Sequence, residues 1–198
     1  MTKLLRIIGC LLLGMNLVTC CTTKQEARRP VSQASGEFMK QSVERNKKLN
    51  ENEENIIAKI IKKDTAVSYI ASKKGYWYYY NTKNTTEATK PIKGNVAFYD
   101  YEIKDINGNI IYSQLELKPQ QYVVDKQAIM IGLRDGIKLM QKGEKVTFLF
   151  PSHMAFGYHG DNKKIGTNEP LICTVTLNDI KPNPNTNNSQ PVKEINKN

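Results

Sequence analysis

The spacing of hydrophobic and polar residues changes several times along this chain, and each spacing predicts a different element. Between residues 37 and 70 apolar residues recur near the helical period, most strongly from Ile56 to Ile61. This pattern predicts an amphipathic helix within the segment 37–73, with a break around residues 50–55. Such a helix either packs on its own domain or pairs with a second copy of the chain as a homodimer.

Beyond this helical segment the pattern becomes that of β-strands. Residues 74–81 include five consecutive aromatic residues, which favour a strand, and the pair Asn107-Gly108 between two apolar runs is typical of a hairpin turn. The predicted elements are strands at 96–103, 109–112, 122–124, 145–150 and 171–177, a short helix at 129–139, and a long polar flap at 158–170.

The short helix carries two features that set the fold class. Ile129, Leu133 and Ile137 recur every four residues and form one apolar stripe. Gly132 and Gly136 also lie four apart, and each costs about 1 kcal/mol relative to Ala in a helix. This cost indicates that another element comes close to the helix backbone. We therefore predict an α+β fold, an antiparallel sheet curved around one short helix and preceded by the amphipathic helix.

The first 36 residues have the composition of an export signal and a linker. Residues 1–19 combine a basic start with a short apolar run, which is typical of a secretory signal peptide. The end of this run resembles a bacterial lipobox, which implies lipidation of Cys20 and leaves Cys21 as the alternative. An ordinary cleaved signal and an uncleaved anchor are the other interpretations. Residues 20–36 are polar and predict a flexible tether, and residues 182–198 predict a disordered tail.

Composition excludes several classes of function. The net charge of +10 comes from 29 Lys and Arg against 19 Asp and Glu, but the lysines are scattered and no basic cluster alternates with aromatics. Nucleic-acid binding is therefore not predicted. His153 and His159 lie six apart without neighbouring cysteines, so no metal or cofactor is predicted.

Three sequence strings together resemble one family. They are I-M-x-G-L-x-x-G-x-x-x-M-x-x-G-E from Ile129, P-S-x-x-A-F-G-Y-x-G from Pro151, and I-G-T-N-E-P-L-I-C-T-V-T-L from Ile165. The combination resembles the FKBP-type peptidyl-prolyl isomerase domain over residues 94–180, and the aromatic strand extends the predicted domain to 74–181. The resemblance implies an FKBP-like fold, rotation of X-Pro bonds, proline-containing polypeptide clients and no cofactor.

The order of lipobox, helix, aromatic strand and domain is also similar to the gliding-motility-associated FKBP-type lipoproteins of Bacteroidota. This implies an isomerase that is anchored to a membrane by an N-terminal lipid and faces the periplasm. Its clients would be envelope proteins.

The family resemblance assigns a substrate pocket to eight apolar residues, called the pocket set below. It implies catalytic positions at Tyr101, Met130, Leu133 and Phe156, with the backbone N–H of Met130 binding a substrate carbonyl. It implies further substrate-binding positions at Ile111, Ile129, Ile165 and Cys173. Without the resemblance, apolar residues at these spacings are expected to be ordinary core.

Three positions depart from the family pattern. Tyr112 stands in place of a carboxylate, Phe156 lacks the hydroxyl of the usual tyrosine, and Gln120 replaces an aromatic residue. Losing one hydrogen-bonding partner typically costs about 1 kcal/mol, which lowers a rate several-fold without abolishing it. The alternative function is a catalytically weak FKBP-like module that binds client chains or partners in the cell envelope.

Overall fold

The computed structural model of this 198-residue chain describes residues 31–86 and 89–182. The predicted signal peptide, Cys20, the first part of the tether and the tail from residue 183 lie outside the described residues. The predictions made for them stay predictions. The chain divides into two compact units, Met1–Ser42 and Val43–Asn198, and the second unit contains the sheet and the pocket set.

The described elements follow the order expected from the sequence, with small shifts at their ends. They are α1 (Val31–Lys63), β1 (Ile70–Ala71), β2 (Trp77–Thr82), β3 (Val96–Asp105), β4 (Ile110–Tyr112), α2 (Gln114–Leu117), β5 (Gln120–Val123), α3 (Ile131–Leu139), β6 (Lys145–Phe150), two short 3₁₀ helices (Ser152–Met154 and Gly157–His159) and β7 (Leu171–Lys181). The one-turn helix α2 was not predicted; it begins after Ser113, whose side chain accepts a hydrogen bond from the N–H of Glu116.

All strand pairings in the described part are antiparallel, in the order β1-β2-β6-β7-β3-β4, with β5 also paired to β3. β3 and β7 form the longest pair, from Val96 opposite Lys181 to Asp105 opposite Leu171. The α+β fold predicted from the sequence is confirmed.

The helix α3 packs very closely against one side of this sheet, called the inner face below. A Cβ atom added at Gly132 would lie 2.5 Å from the ring of Phe150, and one added at Gly136 would lie 2.8 Å from the ring of Phe148. Real Cβ atoms do not come this close to other atoms. The close approach predicted from the two glycines is therefore confirmed.

The helix α1 differs from its prediction in three ways. It begins at Val31, inside the predicted tether, it has no break around residues 50–55, and it ends at Lys63. The asparagines at 50–55 are poor helix formers, but Glu53 and Ile57 are buried in the same stretch, and tertiary contacts of this kind outweigh propensity. The end of the segment predicted as helical holds the short strand β1 instead. None of the helices within the described residues has the length and apolarity needed to cross a membrane.

Candidate active site

The structure brings all eight residues of the pocket set into one apolar cluster on the inner face. Leu133, Ile165 and Cys173 are buried in this cluster, whereas Tyr101, Ile111, Ile129, Met130 and Phe156 are half-buried and pack against it. Half-buried apolar residues occur both at the rim of a core and in the wall of a pocket. This placement agrees with the predicted pocket, and the roles of the individual residues in binding substrate stay predictions.

Two neighbouring tyrosines of β3 differ in how deeply they are buried. The rings of Tyr99 and Tyr101 lie 5.4 Å apart, but Tyr99 is only 3% exposed while Tyr101 is half-buried. Burial, together with the nearby thiol of Cys173, raises the pKa of Tyr101. The hydroxyl of Tyr101 therefore stays protonated at neutral pH and can donate a hydrogen bond to a substrate.

Cys173 lies in the middle of β7, opposite Ile103 on one side and Phe148 on the other. It is fully buried, and burial raises the pKa of its thiol. The thiol is therefore neutral and acts as a small apolar surface at the base of the cluster.

Met130 directly precedes α3 with a non-helical backbone conformation, φ −46° and ψ 130°. Its carbonyl accepts a hydrogen bond from the N–H of Arg134 at 3.0 Å, which fixes the peptide at the helix start. Within residues 31–86 and 89–182, the N–H of Met130 donates to no protein acceptor. A backbone N–H is the kind of donor that can bind a substrate carbonyl, and this role of Met130 stays a prediction.

Tyr112, the residue that replaces the family's carboxylate, forms a contact that the sequence did not predict. Its hydroxyl donates to Oδ2 of Asp161 in the flap. Oδ1 of Asp161 accepts from the N–H of Lys163 at 2.9 Å and of Ile165 at 2.8 Å. A single carboxylate thus joins β4 to the flap and sets the position of Ile165.

The ionisation of this pair follows from its hydrogen bonds. Burial acts to raise the pKa of Asp161, but the Tyr112 hydroxyl and the backbone N–H groups outweigh it and lower that pKa overall. The hydrogen bond to Asp161, followed by burial, raises the pKa of Tyr112. Asp161 is therefore ionised and Tyr112 protonated at neutral pH.

Lys164 adds a second connection between the flap and β4. Its Nζ lies 2.6 Å from Oε1 of Glu116, 3.3 Å from the carbonyl of Ile111 and 4.8 Å from the ring centroid of Tyr112. The flap is thereby held over the β4 side of the pocket set. Sequence reasoning missed Asp161 and Lys164 because nothing in a polar loop indicates which strand it will contact.

Phe156 lies between the two 3₁₀ helices, and the first of these is hydrogen-bonded to a residue of α1 that is not part of the pocket set. The carboxylate of Glu53 in α1 accepts hydrogen bonds from the backbone N–H and from Oγ of Ser152, both at 2.7 Å. On the other side of Phe156, the carbonyl of Gly157 accepts from the N–H of Asn168 in the flap at 2.9 Å. Sequence reasoning also missed Glu53, because it looks like any other acidic residue of a solvated helix.

A cavity lies on the opposite side of the sheet, called the outer face below. It has a volume of about 320 Å³ and is lined by residues that include Ile60, Asp64, Tyr79, Thr147, Leu149 and Thr174. None of the pocket set lines this outer groove. In the part of the chain that the structure describes, no three His, Cys, Asp or Glu residues are grouped so that they could hold a metal ion.

Comparison with known proteins agrees with this geometry. Residues 87–178 match the family model described as FKBP-type peptidyl-prolyl cis-trans isomerase. A Neisseria meningitidis protein named "Probable FKBP-type peptidyl-prolyl cis-trans isomerase FkpA" is 27% identical over 122 residues, which are 59% of this chain and 44% of that protein. The chain thus matches less than half the length of this curated relative.

Two solved structures share the fold. A peptidyl-prolyl cis-trans isomerase from Pseudomonas syringae pv. tomato gives a TM-score of 0.54 at 22% identity, covering 68% of this chain and 95% of its own. FkpA from Escherichia coli gives a TM-score of 0.55 at 21% identity, covering 81% of this chain and 76% of its own. The segment that contains the pocket set, residues 87–178, is thus similar to the FKBP-type peptidyl-prolyl cis-trans isomerase family, and the chain shares the fold of these two solved structures.

Proposed function

We propose that this chain catalyses the cis-trans isomerisation of X-Pro bonds in polypeptide clients. The observation that carries the proposal is the pocket set itself. Its eight apolar residues, five of them half-buried, belong to one cluster within the segment that matches the isomerase family, and the N–H of Met130 donates to no acceptor among the described residues. An apolar pocket with one or two donors can hold a proline ring and orient the carbonyl before it.

The reaction needs no nucleophile and no proton transfer. Its barrier is about 20 kcal/mol and arises from the partial double bond of the amide. The twisted transition state is less polar than the planar amide, so an apolar surface binds it in preference. Leu133 and Phe156 supply apolar surface, while the N–H of Met130 holds the substrate in register.

Isomerisation of an X-Pro peptide by the full chain, beside Leu133→Ala and Phe156→Ala, tests the proposal. Ile92→Ala is the control, because Ile92 is a large apolar residue that is 68% exposed and outside the pocket set. We expect acceleration by the wild type and the control, and at least about a tenfold loss in the folded pocket variants. No acceleration by a well-folded chain, on peptides or on a protein whose refolding is limited by proline, would contradict the proposal.

A second candidate is the catalytically weak binding module. It is favoured by Tyr112, whose hydroxyl is already engaged by Asp161, and by Phe156, which has no hydroxyl to offer a substrate. Both departures remove polar groups from the pocket and leave its apolar walls. Binding of unfolded, proline-rich chains without acceleration of their isomerisation would identify this function.

We further propose that the chain is anchored in the cell envelope through a lipid on Cys20 and faces the periplasm. The basic and apolar leader, the lipobox-like ending and the polar stretch after it support this proposal. Labelling of cells with a radioactive fatty acid tests it, with Cys20→Ser and Cys21→Ser compared. Loss of label in the Cys20 variant alone is expected, and label retained in the Cys20 variant would contradict the proposed lipid on Cys20.

The envelope clients are proposed to include proteins needed for gliding motility, on the similarity of the overall layout to the Bacteroidota lipoproteins. Deletion of the gene should stop gliding in the source organism. Wild type should restore gliding, whereas Leu133→Ala should not if isomerisation is the required activity.

Association of two copies through α1 is proposed from its exposed apolar side chains. Phe38 is 66% exposed, Met39 62% and Val43 63%. Sedimentation of the wild type and of Phe38→Glu decides the point, because a charge on that surface should convert a dimer to a monomer. An unchanged mass would remove the idea.

A further inference from the structure

Glu53 is the acidic residue of α1 whose surroundings differ from those of its neighbours. It is 3% exposed, whereas Glu51 and Glu54 on the same helix are exposed. No Lys, Arg or His within the described residues forms a salt bridge with it. Burial of a carboxylate without a cationic partner is costly unless hydrogen bonds replace water. Its two hydrogen bonds to Ser152 therefore define what this residue does.

Ser152 is the first residue of the turn that leads to Phe156. The carbonyl of Ser152 accepts from the N–H of Ala155 at 3.0 Å, and the carbonyl of Pro151 accepts from Met154 at 2.9 Å. Phe156 follows directly. A carboxylate that holds both donors of Ser152 therefore fixes the start of this turn.

The same series of contacts continues into the flap. Gly157 follows Phe156, and its carbonyl accepts from the N–H of Asn168 at 2.9 Å. Hydrogen bonds thus run from Glu53 in α1 through Ser152, past Phe156, to the flap that contains Ile165. Two members of the pocket set, Phe156 and Ile165, belong to the segments so connected.

We propose that Glu53 is a positioning residue of the pocket, which through Ser152 fixes the turn that carries Phe156. The helix α1 then forms part of the framework of the site, in addition to linking the domain to the N-terminal residues. This inference rests on the proposed isomerase function. It goes beyond it in giving a helix outside the matched family segment a role in the reaction.

The test compares four variants of the full chain. Glu53→Ala removes both hydrogen bonds. Glu53→Gln keeps an oxygen that can accept from the Ser152 N–H and adds an N–H that can donate to Ser152 Oγ. Ser152→Ala removes only the Oγ bond, and Glu54→Ala is the matched control on the exposed side of the same helix.

The measured quantities are kcat and KM on an X-Pro peptide, and the hydrogen-exchange rates of the Ala155 and Asn168 amides. We expect Glu53→Ala to lower kcat/KM by about tenfold, because small displacements of a pocket wall have effects of this size or larger. We expect Glu53→Gln to return within about threefold of wild type and Glu54→Ala to match it. Both amides should exchange faster in Glu53→Ala, only that of Ala155 in Ser152→Ala, and neither in Glu54→Ala.

The opposite result is equally clear. If Glu53→Ala lowers the melting temperature but leaves the kinetics and both exchange rates at wild-type values, Glu53 only fastens α1 to the domain and the proposal is wrong. Should Glu53→Ala fail to fold, Ser152→Ala replaces it, with a smaller loss of kcat/KM and faster exchange at Ala155 expected. Wild-type values in that variant would overturn the proposal.

Failure of the isomerase proposal gives a different pattern. If the wild type does not accelerate isomerisation, the kinetic comparison is void, but the exchange rates do not depend on catalysis. Faster exchange at Ala155 and Asn168 in Glu53→Ala would still support positioning by Glu53. Unchanged exchange would overturn it.

Discussion

The two faces of the sheet differ in how tightly their side chains are packed. On the inner face, Phe148 and Phe150 stack at 5.4 Å and press against α3 so closely that its contact positions must be glycine. On the outer face, Thr147 bonds to Asn81 at 2.8 Å and lies 3.1 Å from Thr174, beside a groove of about 320 Å³. The inner face gains rigidity from tight apolar packing, and the outer face keeps unfilled space and polar contacts. The pocket set belongs to the apolar cluster on the tightly packed face.

The largest effect is expected from adding atoms to the inner face. Gly132→Val should destabilise the chain by about 3 kcal/mol, because the added carbons overlap the ring of Phe150 and α3 must move away from β6. Denaturant unfolding measures this effect.

Gly36→Val is the matched control for this substitution. A Cβ at Gly36 in α1 has nothing within 4 Å, so its stability should stay within about 0.5 kcal/mol of wild type. A similar loss in both variants would mean that the close approach of α3 to β6 does not govern stability.

Truncating a buried side chain of α1 should lower the free energy of unfolding less than adding atoms to the inner face. Ile57 is fully buried but lies outside the main core cluster, as does Leu149. Ile57→Ala should cost about 2 kcal/mol, near the lower end for such truncations, because Ile57 lies outside the main core cluster. Val43→Ala on the exposed side of α1 should cost almost nothing. A larger loss of stability in Ile57→Ala than in Gly132→Val would contradict the expectation that the inner face tolerates change less well than the outer face.

A smaller effect is expected where the flap meets β4. Tyr112→Phe removes the hydrogen bond to Asp161 and should cost about 1 kcal/mol, while the amide of Ile165 should exchange faster. Tyr158→Phe is the control, because Tyr158 is 73% exposed. Equal exchange at Ile165 in both variants would show that the Tyr112 hydroxyl does not hold the flap.

The smallest effect is the dependence of the flap contact on pH. The pKa of Asp161 is lowered in the folded chain, so its stabilising contribution is complete above the ordinary carboxyl pKa, about 4, and is lost as the pH falls through the folded value. The difference in unfolding free energy between wild type and Asp161→Asn should therefore be larger at pH 7 than at pH 3. A difference in unfolding free energy that grows towards acid pH would contradict the lowered pKa of Asp161.

The local sequence pattern was sufficient to predict those parts of the fold in which local pattern and tertiary packing favour the same structure. The stripe of Ile129, Leu133 and Ile137 and the glycines between them located α3 and its tight contact with the sheet. The Asn107-Gly108 pair located the hairpin between β3 and β4. Each of these signals is produced by residues within a few positions of one another, so no distant contact is needed to interpret them.

The remaining features depend on contacts between distant parts of the chain. The break expected around residues 50–55 is absent because Glu53 reaches Ser152 and Ile57 is buried, and neither contact leaves a local signal. The flap contact of Asp161 with Tyr112 was missed for the same reason. The pocket set came from family resemblance, since apolar spacing alone does not separate a pocket wall from a core residue.

The rate at which a reagent labels Cys173 reports how often the domain opens. Cys173 is fully buried in the central strand β7, it is the sole cysteine within the described residues, and burial raises the pKa of its thiol. A thiol reagent reaches a fully buried thiol only when the structure around it opens, and such labelling therefore follows openings of the domain around β7. The rate at which Cys173 becomes labelled would time how long a single folded molecule remains closed.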